Sequence, residues 1–535
     1  MTVHKSTIST GSSEFKANAK EFQVLLDDLR ERRKLARAGG TDVAKKRHVE
    51  AGKLLPRDRV AALLDPGSPF LELGEFAGDG MCGTNPPGAG IITGIGRVSG
   101  QVCMIVANDS TVKGGTYYTL TAKKHVRAQK IAWQHRLPGL TLVDSGGANL
   151  PEMSGIFPDS GQYGSVLHQI IRQSADGVPQ LSVVHGACTA GGAYTPVLTD
   201  QTVIVRGQGY IHLGGPEIVQ AATGEVVDRE ALGGAEMHTS RSGVTDYIAN
   251  NDHQALGILR RLAQDLPARP DPFSPPEIPV PPRYDPKEIY GILNSDTRKQ
   301  TDTLEIIARL VDDSRFEEFK KDFGDTLLCG FAHWGGYPVG IIANRGVLMS
   351  ESSVKAVHFI SMCCKRNIPL IFMADVTGYM VGREAELGGI AKNGAKMVQA
   401  MSAANVPKYN IVIGSSYGAG YMGMCGRPFE PHFSFGWPNG RAALMGPEQA
   451  ATTLSMVQRR KRERLQQEWT DEEDQALRAP ILEQFSNFSN MNNFAANLWI
   501  DSILDPAETR TAMSLVLDLA ARVEPVPTSF PILRM

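Results

Sequence analysis

The chain has 535 residues, 42% of them hydrophobic and 21% charged, with a formal net charge of −2. It is too long for one hydrophobic core and predicts two or more domains. The near balance of charge offers no surface for nucleic acid or an anionic membrane, and no apolar run reaches the roughly 18 residues of a membrane helix.

In chain order, residues 1–20 are rich in Ser and Thr and carry Lys and His but no Arg. Transit peptides are Arg-rich, so this segment reads as a flexible lead-in, and a cytoplasmic location is expected. A helix is predicted near Glu21–Arg33, with its stop at Gly39-Gly40. Residues 66–260 alternate short β-branched runs with helical stretches, the pattern of βαβ crossovers. Nine prolines then fall within the twenty residues from Pro267 to Pro286. They cannot join a helix or a central strand. The chain is therefore divided into an N-terminal domain over 21–266, a stiff linker over 267–286 and a C-terminal domain over 287–535. The basic run Gln458–Arg464, with acidic residues from Glu468 to Asp474, reads as a solvated helix laced with ion pairs rather than an RNA-binding stripe.

The two halves repeat one another. Pro179–Tyr194 (PQLSVVHGACTAGGAY) matches Pro407–Tyr421 (PKYNIVIGSSYGAGY), an offset of 228 (407 − 179). Pro138–Asp144 matches Pro369–Asp375, and Gly215-Pro216-Glu217 matches Gly446-Pro447-Glu448, both offset by 231 (369 − 138, 446 − 215). The same order with drifting offsets marks a duplicated α/β domain. In each half a buried strand runs into a cluster of small residues. A helical turn that starts there leaves backbone N–H groups free to face a developing negative charge.

No Ser-His-Asp triad, zinc motif, phosphate-binding loop or dinucleotide fingerprint is present. The seven cysteines (Cys82, Cys103, Cys188, Cys329, Cys363, Cys364 and Cys425) form no C-x-x-C pair, so they read as reduced, mostly buried thiols and no metal is expected. Cys188 lies in the first corner with His185 three residues earlier, but a small side chain packed under the turn is preferred to a nucleophile. The chemistry then falls to backbone amides, and suits a reaction that stabilises an enolate at one corner and a second anion at the other.

Longer motifs carry a resemblance. They include ANDSTVKGGTYY (Ala107–Tyr118), LVDSGGANLPEMSGIFPD (Leu142–Asp159), CTAGGAYTP (Cys188–Pro196), TGYMVGREAELGGIAKNGAKMV (Thr377–Val398), GSSYGAGYMGMCGRPFEP (Gly414–Pro431) and WPNGRAALMGPEQAA (Trp437–Ala451). On these, from about residue 20 to the C-terminus, the chain resembles the carboxyltransferase (β) subunits of biotin-dependent acyl-CoA carboxylases, above all the 3-methylcrotonyl-CoA carboxylase branch.

The resemblance implies two crotonase-like domains, each a twisted sheet flanked by helices. Gly191 and Gly192 match the oxyanion hole for the thioester enolate, and Ala419 and Gly420 the hole for the ureido oxygen of biotin. On the acyl-CoA side it adds Lys113, Gly114, Gly115, Gly147, Ala148, Leu167, His168, Cys188, Thr189 and Ala190. On the biotin side it adds Thr377, Gly378, Tyr417 and Gly418. Carboxybiotin would release CO2, the ureido anion would act as base, and the enolate would capture the CO2. The cofactor is then biotin carried on a partner α subunit that also holds the biotin carboxylase, because the chain shows no Met-Lys-Met attachment motif and no ATP-grasp signature. The co-substrate is a coenzyme A thioester, and a hexameric β core within an α6β6 complex is implied.

Two departures bear on the substrate. Thr119 replaces the proline expected after Tyr117-Tyr118, and Gly161–Gln169 (GQYGSVLHQ) lacks the paired aromatics of the methylcrotonyl branch. The expected activity is carboxylation of 3-methylcrotonyl-CoA in leucine catabolism. Geranyl-CoA carboxylase is the first alternative, followed by a propionyl- or acetyl-CoA carboxylase subunit and a biotin-dependent decarboxylase subunit.

Overall fold

The computed structural model describes residues 1–81, 86–267, 275–294 and 301–534. The chain divides into two compact units. One comprises Glu31–Pro270 with Ala495–Leu498, and the other Met1–Arg30, Asp271–Phe494 and Trp499–Met535.

In the first unit eight strands form one sheet: β1 (Leu71–Glu72), β2 (Ile91–Val98), β3 (Gln101–Asn108), β4 (Gly139–Ser145), β5 (Gln180–Thr189), β6 (Gln201–Val205), β7 (Tyr210–His212) and β8 (Tyr247–Ala249). Their order is β1-β2-β3-β4-β5-β6-β8, with β7 paired to β5. The second unit repeats this with β9 (Glu317–Glu318), β10 (Leu327–Trp334), β11 (Tyr337–Asn344), β12 (Leu370–Val376), β13 (Lys408–Tyr417), β14 (Phe433–Gly436), β15 (Arg441–Ala443) and β16 (Ser502–Ile503). The order there is β16-β14-β13-β12-β11-β10-β9, with β15 paired to β13. The expected duplicated α/β architecture is what the chain adopts.

The central strands are parallel and buried on both faces, which is why they read as continuous apolar runs. Matched helices of 16 residues, Thr119–Gln134 and Ser350–Lys365, make the crossovers from β3 to β4 and from β11 to β12. One core gathers Ile105, Leu142, Val183, Val203 and Leu259, and the other gathers Ile342, Phe359, Phe372, Met397 and Met401.

The N-terminus differs from expectation. The first helix begins at Ser13 and runs to Arg37. The residues before it are tied down rather than loose. Ser6 Oγ and Thr7 N donate to the buried Glu305 carboxylate at 2.6 and 2.8 Å, and Val3 bridges Arg315. Isolated Ser and Thr residues give no sequence sign of a buried carboxylate some 300 positions away. Of the proline-rich segment, residues 268–274 lie outside the described residues, as does Cys82, and 275–286 carry almost no regular structure. The basic and acidic runs fall on two helices rather than the one expected, Pro447–Arg464 and Asp471–Ser489, and ion pairs link them, with Arg462 and Glu473 3.1 Å apart.

Candidate active site

Each sheet contains one strand that changes partners midway. β5 pairs with β6 from Leu181 to Val184, then with β7 from Ala187 to Thr189. β13 pairs with β14 from Tyr409 to Val412, then with β15 from Ser415 to Tyr417. At each fork an aspartate on the neighbouring strand fills the gap, at a shift of register: Asp144 between Val143 and Ser145, and Asp375 between Ala374 and Val376. Each faces a glycine, Gly186 or Gly414, whose added Cβ would overlap the carboxylate. This close approach is what reserves those positions for glycine.

Beyond each fork the strand ends in the same turn. Ala190 and Gly418 hold left-handed backbone, with φ of 56° and 55°. Gly191 and Ala419 follow, exposed, and then Gly192 and Gly420, buried. Helical turns start there, Ala190–Ala193 and Gly418–Gly423. The left-handed residue reverses the chain, so the next amides fall in the first turn, where N–H groups lack partners four residues back.

What surrounds the first corner explains its small residues. A Cβ on Gly191 or Gly192 would meet no chain atom nearer than Tyr163, at 3.6 Å from Cε1 and 4.0 Å from Oη respectively. Neither glycine is demanded by the packing around its Cβ position. The loop from Lys113 to Tyr118 borders this region. Lys113 and Gly114 are exposed, and Gly115 is buried against the Asp144 carbonyl. Gly146 N donates to Gly114 O at 2.9 Å, and Tyr117 bridges Ala148. A Cβ on Gly147 would stand 3.7 Å from Thr189 O. Lys113, Gly114, Gly115, Gly147, Ala148, Thr189 and Ala190 are thus brought together around one turn.

Cys188 is brought there only through its backbone. Its thiol packs with Val143, Val184 and Ile211, and burial, then the Asp144 charge, raises its pKa well above the ordinary range. His185 cannot serve it as a base. Its Nδ1 is 2.6 Å from Asp252 Oδ1, and burial, then Arg59, pulls the imidazole down to about 4. Leu167 and His168 lie on the helix Tyr163–Ala175, Leu167 half-buried and His168 exposed. The side chain that this helix sets against Gly191 and Gly192 is Tyr163, one turn earlier than Leu167.

In the second unit, a Cβ on Gly420 would meet Val376 Cγ1 at 3.0 Å and Gly378 Cα at 3.1 Å. Gly378 therefore lies against the corner, with Thr377 exposed beside it. Leu348 bridges Tyr379 as Tyr117 bridges Ala148, both offset by 231 (348 − 117, 379 − 148). Tyr417 closes β13 and is buried, and a Cβ on Gly418 would sit 2.9 Å from Leu444 O.

Sequence reasoning missed the charges beneath the first corner. Asp144 accepts from Lys53 Nζ at 3.1 Å, Arg59 Nη1 at 3.2 Å and Ser110 Oγ at 2.8 Å, and Arg59 also grips Asp252 at 2.8 Å. Burial pushes the Asp144 carboxyl up, but Lys53 and Arg59 outweigh it and hold the group below the ordinary range. These partners stand 85 to 91 positions away in the chain, with no local motif to announce them. Among the described residues, no cluster of His, Cys, Asp and Glu is arranged to hold a metal ion, and no helix is long and apolar enough to cross a membrane.

Residues 47–528 match the model of the carboxyl transferase domain. The chain is 50% identical over 518 residues to the biotin-dependent 3-methylcrotonyl-coenzyme A carboxylase beta1 subunit of Mycobacterium tuberculosis, covering 97% of this chain and 98% of that one. It is 47% identical over 547 residues to the probable mitochondrial methylcrotonoyl-CoA carboxylase beta chain of Drosophila melanogaster, covering 99% and 95%. Its fold is similar to the crystal structure of the P. aeruginosa geranyl-CoA carboxylase beta subunit, with a TM-score of 0.89 at 36% identity over 100% of this chain and 99% of that one.

Proposed function

The chain belongs to the carboxyl transferase domain family, and we propose from that premise that it is the carboxyltransferase subunit of a biotin-dependent acyl-CoA carboxylase acting on 3-methylcrotonyl-CoA. The observation that carries this reading is the pair of matched corners, each offering backbone amides at the end of a forked strand, in a chain 50% identical to a methylcrotonyl-CoA carboxylase subunit.

The first corner takes the thioester. The amides of Gly191 and Gly192 face the carbonyl oxygen as it gains charge, where preorganised donors cost no reorganisation. Lys113, Gly114, Gly115, Gly147 and Ala148 border the CoA side, and Leu167 and His168 meet the far end of the acyl group. The second corner takes the biotin ring. Its fit rests on the exposed Ala419 beside Gly420, with Thr377, Gly378, Tyr417 and Gly418 around them. Biotin, carried on a partner chain, supplies the carboxyl group and a basic ureido nitrogen. This chain's residues orient the two ligands and hold the two developing anions. Among the described residues no side-chain base stands at either corner, which suits a reaction whose base arrives with the cofactor.

The partner is an α subunit that carries biotin carboxylase and biotin, and the chain assembles with copies of itself, as a β6 core. Exposed Met380, Val381 and Leu387 in the TGYMVGREAEL segment support a surface that another chain covers. A role in leucine breakdown follows from the same reading, and a cytoplasmic place is proposed with it. The test is carboxylation of an acyl-CoA series from four to ten carbons by the chain reconstituted with a biotinylated partner subunit. Methylcrotonyl-CoA should give the highest kcat/KM. Geranyl-CoA as the best substrate would transfer the reading to the geranyl branch, which the fold similarity to a geranyl-CoA carboxylase keeps as the second reading. Leu167→Phe should move the series toward short substrates.

A further inference from the structure

Tyr163 stands beside the first corner in a way that the oxyanion-hole reading does not use. Its hydroxyl is 2.6 Å from Thr195 Oγ1 and 3.4 Å from Gly191 O. A hydroxyl donates once, so both contacts are satisfied in one arrangement: Thr195 donates to Tyr163, and Tyr163 donates to the Gly191 carbonyl. That carbonyl belongs to the same planar peptide unit as the Gly192 N–H, and in a trans peptide the two point in opposite directions. A donor gripping the carbonyl therefore fixes the direction of the Gly192 N–H and polarises it, as chained hydrogen bonds do. Tyr194 N donates to the same oxygen, so the peptide is held from two directions.

The tyrosine is itself immobilised. Its ring stacks edge-on against Tyr117 at 4.8 Å, and the Tyr117 hydroxyl is 2.9 Å from Nδ1 of the buried His125. Burial, opposed by Thr195, pushes the Tyr163 phenol up to about 12, so the hydroxyl keeps its proton at neutral pH. The repeat does not carry this tyrosine into the second half. At the 228-residue offset, position 163 corresponds to 391 (163 + 228), which is an exposed Ala391.

We propose that Tyr163, relayed from Thr195, is a positioning residue that aims and strengthens the Gly192 N–H as an oxyanion donor. This rests on the first corner being the enolate site. Tyr163→Phe keeps the ring and removes only the hydroxyl. It should lower kcat for acyl-CoA carboxylation about tenfold, the scale of one hydrogen bond made mainly in the transition state. KM for acyl-CoA and the melting temperature should stay within error of the parent. Thr195→Val should cause a similar loss, and the double variant should be no slower than the worse single one, because the two hydroxyls act as one relay. Undiminished kcat in Tyr163→Phe, a rise in KM alone, or losses that multiply in the double variant would overturn the proposal. Gly192→Val separates the two levels. If it turns over normally, the corner is not the enolate site and the role of Tyr163 falls with it. If it is inactive beside a fully active Tyr163→Phe, the corner stands and only the role of the hydroxyl is lost.

Discussion

The two corners share a backbone and differ in nearly everything around it. Both follow a forked strand of ten residues, and both turn on a left-handed residue into an exposed and then a buried small residue. Beneath the first, Asp144 is locked between Lys53 and Arg59. Beneath the second, Asp375 accepts from Ser415 N at 2.9 Å, and no salt bridge to it is found among the described residues. Burial raises its pKa, and the Ser415 N–H only partly offsets this. Tyr163 walls the first corner, and the residue at the matching place in the second half is Ala391. The backbone of the turn is the part the two halves share, and the side chains around it are the part in which they differ.

The comparison breaks most sharply at the small residues. Gly192→Val should cut turnover on the order of 10²-fold, as loss of an oxyanion donor does, with an unchanged circular dichroism spectrum because the nearest chain atom leaves room for the Cβ. Normal turnover would end the assignment of this corner.

Next come the aspartates. Asp144→Asn removes a charge from a buried cluster and leaves Lys53 and Arg59 facing each other, so it should cost about 3–5 kcal/mol in urea unfolding. Asp375→Asn keeps an acceptor for Ser415 N and strands no cation, so its cost should stay below about 1 kcal/mol. The pH dependence has opposite signs. Asp144 has a depressed pKa, so its contribution is present above the unfolded value of 3.8 and is lost as pH falls through the folded one. Asp375 has a raised pKa, so its contribution is full below 3.8 and declines as pH rises through the folded value. The Asn variant at 375 should therefore gain on the parent as pH rises, and equal costs for the two variants would show that the two forks are built alike.

Ala419→Val should raise KM for the biotinylated carrier roughly tenfold, or about 1.4 kcal/mol, and leave acyl-CoA affinity by calorimetry unaltered. Equal damage to both ligands would mean that the two corners do not divide the work.

The smallest effect concerns the anchored N-terminus. Burial raises the Glu305 carboxyl, but bonds from Ser6, Thr7, Arg309 and His4 draw it down to about 2 from an ordinary 4.5. The hold on residues 1–12 should loosen as pH falls from 4.5 toward 2, and Glu305→Gln should loosen it at neutral pH. Proteolytic cleavage of this segment no faster in the variant than in the parent would refute the anchor.

Much of this was legible in the sequence because it is local. The offsets of 228 and 231 residues announced two equivalent sheets, and each strand with its small-residue cluster announced a corner. What stayed hidden depends on distant partners. Tyr163 carries no sequence sign of its role, since nothing nearby shows that its hydroxyl meets Thr195, 32 residues on. Lys53, Arg59 and Asp252 stand far apart in the chain, and only folding brings them together beneath the corner. Ser6 and Thr7 looked like a loose leader because Glu305 is invisible from their neighbourhood.

The forked strand carries a consequence for motion. Its stem is laddered on both sides within a core, while its tip has left the wide part of the sheet for a three-residue partner. Amides of the stem, such as Val183 and Val184, should exchange with solvent deuterium only through global opening, and those of the tip through cheaper local openings. Ligand occupancy would then slow exchange at the tip alone, so that a mass-spectrometric footprint could report which corner is filled while the rest of the strand stays silent.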